Sequence, residues 1–212
     1  MGVRGRFRLL ALLSLAATVA SCYAVDSQGN ARARSSVVGI AAADYFPLAS
    51  GWKWTYSVWK DGVKIPVLHE VLEREGDVTV VQEGGERITY VVTPEGIAEK
   101  NGDRLGEYII KNPVRLGAEW AVEGGRARIL AVDGRFWSAG VGRHEGCVLI
   151  AVTRNDPKRI TQTMFAPYLG PVTVSIQAAD GKEFLTLAQA LLVAVTRPGD
   201  APSTPSSSRN GR

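Results

Sequence analysis

Trp52, Trp54, Tyr56 and Val58 alternate with Lys53, Thr55 and Ser57, and a period of two fits an extended strand with one buried face. Three aromatic rings on one side of a strand need a partner layer to cover them, so this segment is expected to seed a core. Alternation or β-branched runs recur at residues 78–81, 88–92, 127–132, 146–153, 160–165 and 172–176. Between them stand Asp61-Gly62, Gly76-Asp77, Gly84-Gly85, Asn101-Gly102, Gly124-Gly125, Asp133-Gly134, Asn155-Asp156-Pro157 and Asp180-Gly181. Such residues tolerate positive φ and mark hairpin turns. Asp133-Gly134 and Asp180-Gly181 join their flanking apolar runs most tightly and read as two-residue hairpins. Residues 185–195 allow a short helix, but Val193 and Val195 lean towards a final strand. A sheet with one apolar face must curl on itself or gain a second layer. The expected fold is therefore all-β: a single domain of antiparallel strands forming a strongly curved sheet or open barrel.

The ends of the chain have a different character. Arg4, Arg6 and Arg8 precede an apolar run at residues 9–19, the layout of a secretion signal over residues 1–21. That run is about half of the roughly 20 residues needed to span a bilayer, so no transmembrane helix is expected. Residues 22–43 are rich in Ser, Ala, Gly and Arg, and residues 197–212 in Pro, Ser, Gly and Arg. Both are expected to be flexible, a tether and a tail around a β domain at residues 44–196. The formal charge of +4 owes much to the signal arginines and to the linker and tail. The body alone is slightly acidic, which gives no electrostatic case for nucleic acid.

The tetrapeptide Val19-Ala20-Ser21-Cys22 resembles a bacterial lipobox. The resemblance implies cleavage between Ser21 and Cys22, and a diacylglyceryl thioether on Cys22 as the mature N-terminus. A thiol suits that position because its thiolate is the most nucleophilic side-chain group near neutral pH. Two or three acyl chains would hold the domain on a membrane essentially permanently. In enteric bacteria, lipoproteins retained at the inner membrane carry aspartate after the cysteine. Tyr23 stands here, so the outer membrane, on its periplasmic face or surface, is expected ahead of the inner one. Only two cysteines exist, and lipidation of Cys22 leaves Cys147 without a disulfide partner. Cys147 lies in an apolar run and is expected to be buried and inert.

Tyr45-Phe46-Pro47-Leu48, then Gly51, Trp52, Trp54 and Tyr56, resemble the YFPLxxGxxWxY opening of a group of uncharacterised bacterial envelope lipoproteins. Residues 116–120, Leu-Gly-Ala-Glu-Trp, look like a second, shorter version of the glycine-to-tryptophan element. Residues 146–148 and 165–172 are similar to the group's closing "cysteine strand, then YAPGVGLV" pattern, although Met164-Phe165 replaces paired tyrosines and Pro171 a hydrophobic residue. The similarity covers roughly residues 44–193 and implies an envelope lipoprotein with no established activity. Physically, Tyr45, Phe46, Pro47, Gly51, Trp52, Trp54 and Tyr56 read as corner and core: Pro47 stops a helix, Gly51 turns the chain, and the aromatics pack.

Catalytic and metal-binding signatures are missing. His69 and His144 have no second histidine or cysteine at metal-ligand spacing. His69 and Glu70 adjoin in an apparent strand, where neighbouring side chains face opposite ways and cannot share a substrate. The stretch at residues 140–146 superficially resembles a phosphate loop, but Glu145 occupies the last glycine's place and no helix follows, so a mobile hairpin loop containing His144 is expected. No GxSxG or GxxxxGK[ST] occurs. No catalytic residue, metal or cofactor is assigned. The expected function is a non-enzymatic, membrane-anchored binding or scaffold module with an envelope protein as partner. An apolar ligand carried in a curved sheet is the alternative. An envelope glycan hydrolase, which would need a carboxylate pair across a cleft, is the weaker one.

Overall fold

The computed structural model describes residues 40–155, 158–180 and 183–200. A 3-10 turn (Ala42–Tyr45) precedes β1 (Lys53–Lys60), β2 (Val63–Glu75), β3 (Val78–Glu83), β4 (Glu86–Thr93), β5 (Gly96–Asn101) and β6 (Arg104–Lys111). A second run holds β7 (Glu119–Val122), β8 (Gly125–Ser138), β9 (Gly142–Asn155), β10 (Lys158–Ala166), β11 (Gly170–Asp180) and β12 (Glu183–Thr196). All pairings are antiparallel between sequence neighbours, with one exception: β1 also pairs with β12. The result is a nearly closed, barrel-like sheet of 12 strands whose free edges are β6 and β7, in the middle of the chain.

That gap is bridged by side chains. The Trp120 indole N–H donates to the Tyr108 carbonyl at 2.8 Å. Glu107 accepts from the Glu123 amide at 2.6 Å through one oxygen and pairs with Arg154 at 2.6 Å through the other. Up-and-down connectivity then fixes the two ends. The connections after β2, β4, β6, β8 and β10 lie at the rim where the chain enters, and those after the odd-numbered strands lie at the opposite mouth.

The two runs of six strands repeat a local device. Pro47 and Pro113 each stand four residues before a glycine, and Trp54 and Trp120 three residues after it. Gly51 (φ 89°) and Gly117 (φ 78°) occupy the left-handed region that favours glycine. The Gly51 amide donates to Val71 O, and Val71 N to Trp52 O. Gly117 likewise donates to Ile129 O, and Ile129 N to Ala118 O. One residue further on, Lys53 pairs with Glu70 at 2.7 Å, and Glu119 with Arg128 at 3.5 Å, the same cross-strand bridge with its charges exchanged. The bulges after Val71 and Ile129 coincide as well. The resemblance between the two glycine-to-tryptophan elements therefore extends to backbone hydrogen bonding.

Several expectations are corrected. Asp133-Gly134 is no hairpin. It lies inside β8 at an irregularity in the pairing with β9, and the connection between those strands is at residues 139–141. An Asp-Gly pair signals a backbone departure that a bulge satisfies as well as a turn. His144 is not in a loop but in β9, opposite Phe136. Residues 185–195, by contrast, belong to β12, the final strand towards which the sequence leans. Strands β5, β6 and β7 carry little of the β-branched signal, and their pairing is set by neighbours. Ala42, in the 3-10 turn, is fully buried. Residues 197–200 form a turn in which Arg197 N donates to Asp200 Oδ2 at 2.7 Å.

Candidate functional site

The interior of the sheet has two zones. Near the rim, the 3-10 turn and the residues after it enter the lumen. The Phe46 ring lies 5.6 Å from Trp54 on β1, 5.3 Å from Tyr90 on β4 and 6.4 Å from Phe165 on β10. Strands β4 and β10 are half a circuit apart, so one ring spans the lumen at this level. Trp52 stacks on Trp54 at 5.7 Å. The polar atoms of the buried aromatic rings find backbone acceptors, as burial requires, whereas the buried Ser138 Oγ at the end of β8 has no protein partner. Trp54 Nε1 donates to Leu169 O at 2.6 Å, Tyr56 OH to Pro171 O at 2.8 Å, and Tyr45 OH to Gly146 O at 3.2 Å. Tyr45, Phe46, Trp52, Trp54 and Tyr56 are all buried. The motif thus comes together as core: Gly51 sets the turn, Pro47 leads into it, and the aromatics fill the barrel.

Towards the opposite mouth the inner face becomes ionisable. β2, β3, β4, β5 and β6 contribute His69, Glu83, Tyr90, Glu99 and Glu107, and β9 adds Arg154. Tyr90 OH donates to Glu83 Oε1 at 2.6 Å, His69 Nδ1 lies 3.8 Å from Glu83 Oε2, and the His69 ring is 4.8 Å from Tyr56. Burial raises the pKa of Glu83, partly offset by the Tyr90 hydrogen bond, and burial lowers that of His69. Burial and then the Glu83 charge raise Glu99. One oxygen of Glu83 and both of Glu107 accept from protein donors, while the second Glu83 oxygen faces His69 Nδ1 beyond hydrogen-bond distance. Within the cluster, Tyr90 holds one Glu83 oxygen, and the Glu123 amide and Arg154 hold Glu107. Sequence reading missed it. The available signal was phase: Glu83 falls in step with buried Val81 and Thr79, and a charge in step with a core face needs partners.

His69 and Glu70 face opposite sides as expected, Glu70 bridging to Lys53 on the outer face. Cys147 is fully buried, and burial pushes its thiol up to about 11, the environment of an inert packing thiol. Ser21 and Cys22 lie outside the described residues. Among the described residues no group of His, Cys, Asp or Glu is arranged to hold a metal ion, and no helix is long and apolar enough to cross a membrane. Two surface depressions are small. One, of about 240 Å³, is lined by Tyr56, Ser57, Lys64, Ile65, Pro66 and Val193. The other, of about 190 Å³, lies beside Phe46, Pro47 and Arg74. Neither is lined by Glu83 or Glu99.

The fold and its interior define an all-β, nearly closed antiparallel barrel with a packed lumen. No family model and no curated protein matches the chain. Two solved structures share features of its shape. One is a Bacteroides fragilis protein described as exported and as having a YmcC-like fold, with 11% identity and a TM-score of 0.46 over 72% of this chain and 98% of that one. The other is a Parabacteroides distasonis protein described as a lipoprotein, with 12% identity and a TM-score of 0.38 over the same shares.

Proposed function

We propose that this protein is a membrane-anchored envelope lipoprotein that acts without catalysis, its β domain serving as a docking module for another envelope protein. The observation that carries the reading is the outer face of β10, β11, β12 and β1. By register, Gln162, Ser175, Gln189 and Trp59 form one cross-strand row, and Met164, Thr173, Leu191 and Ser57 the next. Over these four strands neither row contains a charge, and the first one met is Lys64, opposite Trp59 on β2. Trp59 is 53% exposed and Leu191 41% exposed. Charge depletion around exposed aromatic and aliphatic side chains is the composition of an interface centre.

The interior supports the same choice. A carrier of apolar ligands needs an open cavity, commonly about 300–1,000 Å³, whereas the Phe46 ring crosses the lumen between Trp54, Tyr90 and Phe165. Glu107 is held at both oxygens by the Glu123 amide and Arg154, and Glu83 at one by Tyr90, which leaves a glycan hydrolase little to work with. Anchoring would come from the lipid on Cys22.

The test is photo-crosslinking in intact cells from position 189, with position 126 on the charged outer face of β8 as control. A discrete adduct from position 189, lost when Leu191→Lys is introduced, is the expected outcome. Equal yields from both positions, or none from either, would sink the reading.

A further inference from the structure

We infer that the rim through which the chain enters is a lipid-facing surface, on which Leu116, Trp137 and Tyr168 rest in the headgroup region of the membrane that holds Cys22. The inference builds on the anchored reading proposed above and adds an orientation and a second, non-covalent membrane contact.

Leu116, Trp137 and Tyr168 are 65%, 69% and 62% exposed, higher than any other large apolar side chain among the described residues. All three lie on the same end. Leu116 is in the β6–β7 connection, Trp137 is the penultimate residue of β8 before the β8–β9 connection, and Tyr168 is in the β10–β11 connection. These are alternate connections around one stretch of the rim. The entering chain is fastened among them: Ala42 N donates to Asn112 Oδ1 at 2.9 Å, and Tyr168 N to Asp44 O at 2.6 Å. The segment that runs back to Cys22 therefore departs from this end. A tether attached here raises the effective concentration of the rim at the lipid surface above that of the far mouth.

Tyr168 adds a second argument. It holds φ at 58°, a conformation that non-glycine residues adopt at a cost, yet its ring is not used in the core. Tyrosine and tryptophan are the residues enriched at membrane interfaces, where one part of the ring system is apolar and the other wet. Charge fits as well. Arg115 is exposed beside Leu116, and Arg135 and Arg143 flank Trp137 while sharing one carboxylate, Glu145, at 3.7 and 2.7 Å. Each exposed arginine that reaches an anionic leaflet is attracted to it.

The opposite mouth is the competing surface, since it presents Trp59 at 53% and Val63 at 59% exposure. The molecule thus carries an exposed tryptophan near each end, and these two report directly on which end meets lipid. The mature acylated chain is reconstituted into vesicles containing phospholipid brominated along its acyl chains, and tryptophan emission is compared with that in unbrominated vesicles. The expected result is quenching that is mostly lost in Trp137→Phe and kept in Trp59→Phe. Quenching that disappears with Trp59→Phe instead, or no quenching in either protein, overturns the inference. Mass spectrometry of the same preparation separates the two claims. A chain without acyl mass on Cys22 removes the anchored reading and this inference with it, whereas an acylated chain with unquenched Trp137 removes the orientation alone.

Discussion

Phe46 touches rings on three strands that would otherwise face one another across a void, so its removal should be among the costlier single changes in this molecule. Phe46→Ala is expected to lower stability by about 3–5 kcal/mol through lost burial and a residual cavity, and Phe46→Leu by appreciably less. Chemical denaturation checks both, and equal losses would show that the lumen closes around the gap. Glu83 makes a prediction in pH. Its pKa is raised by burial in the folded state, so the native protein holds a proton there that the unfolded chain has released. Stability must then fall as pH rises from the ordinary carboxylate range through the folded value. His69, lowered by burial, acts in the opposite sense, and its contribution is lost as pH falls below the usual histidine range. Melting temperature against pH should therefore flatten on the alkaline side of the carboxylate range in Glu83→Gln, which keeps an acceptor for Tyr90. An unchanged profile would mean that Glu83 titrates as an exposed carboxylate. At this scale the aromatic motif was readable because alternation reports which side chains are buried. The ionisable lining was not, because its members sit one per strand over six strands and meet only through register.

Among elements, the paired glycine-to-tryptophan devices give the sharpest expectation. Gly51 and Gly117 both hold positive φ and the same two backbone hydrogen bonds. Gly117→Ala should cost roughly 1 kcal/mol or more from backbone strain. Gly51→Ala should cost a similar amount, and denaturant midpoints of the two variants test the equivalence. A large disparity would make the repeat a coincidence of sequence. The first of these elements was legible from its aromatic strand, and the second only as an echo, since β7 is four residues long. Hairpins announced by Gly62, Gly76, Gly84, Gly102 and Gly124 appear where the turn residues placed them. Asp133-Gly134 misled because β8 and β9 run on past it as strands of 14 residues. No local signal tells a bulge in a long strand from the end of a short one.

For the whole molecule, the consequential fact is where the sheet fails to close. β6 and β7 are joined by the Trp120 indole and by Glu107 rather than by a ladder. Trp120→Phe keeps an aromatic ring but removes the indole N–H and part of the buried volume, a loss of about 1 kcal/mol for the hydrogen bond plus a cavity cost. Amide exchange in β6 should quicken more than in β4, and uniform quickening would mean that the seam is no weaker than the rest. The halves share a backbone ladder only through β1 and β12, which lie at opposite ends of the chain. Every other pairing joins sequence neighbours and can form early, whereas this one must await the last strand. Until β12 arrives, the strand bearing Trp54 and Tyr56 offers a bare, aromatic edge of the kind that recruits foreign strands. A chain delivered across a membrane from its N-terminus would present that edge for the whole of its passage. Its yield in the cell should thus depend on the holding chaperones of the compartment more than its final stability would suggest.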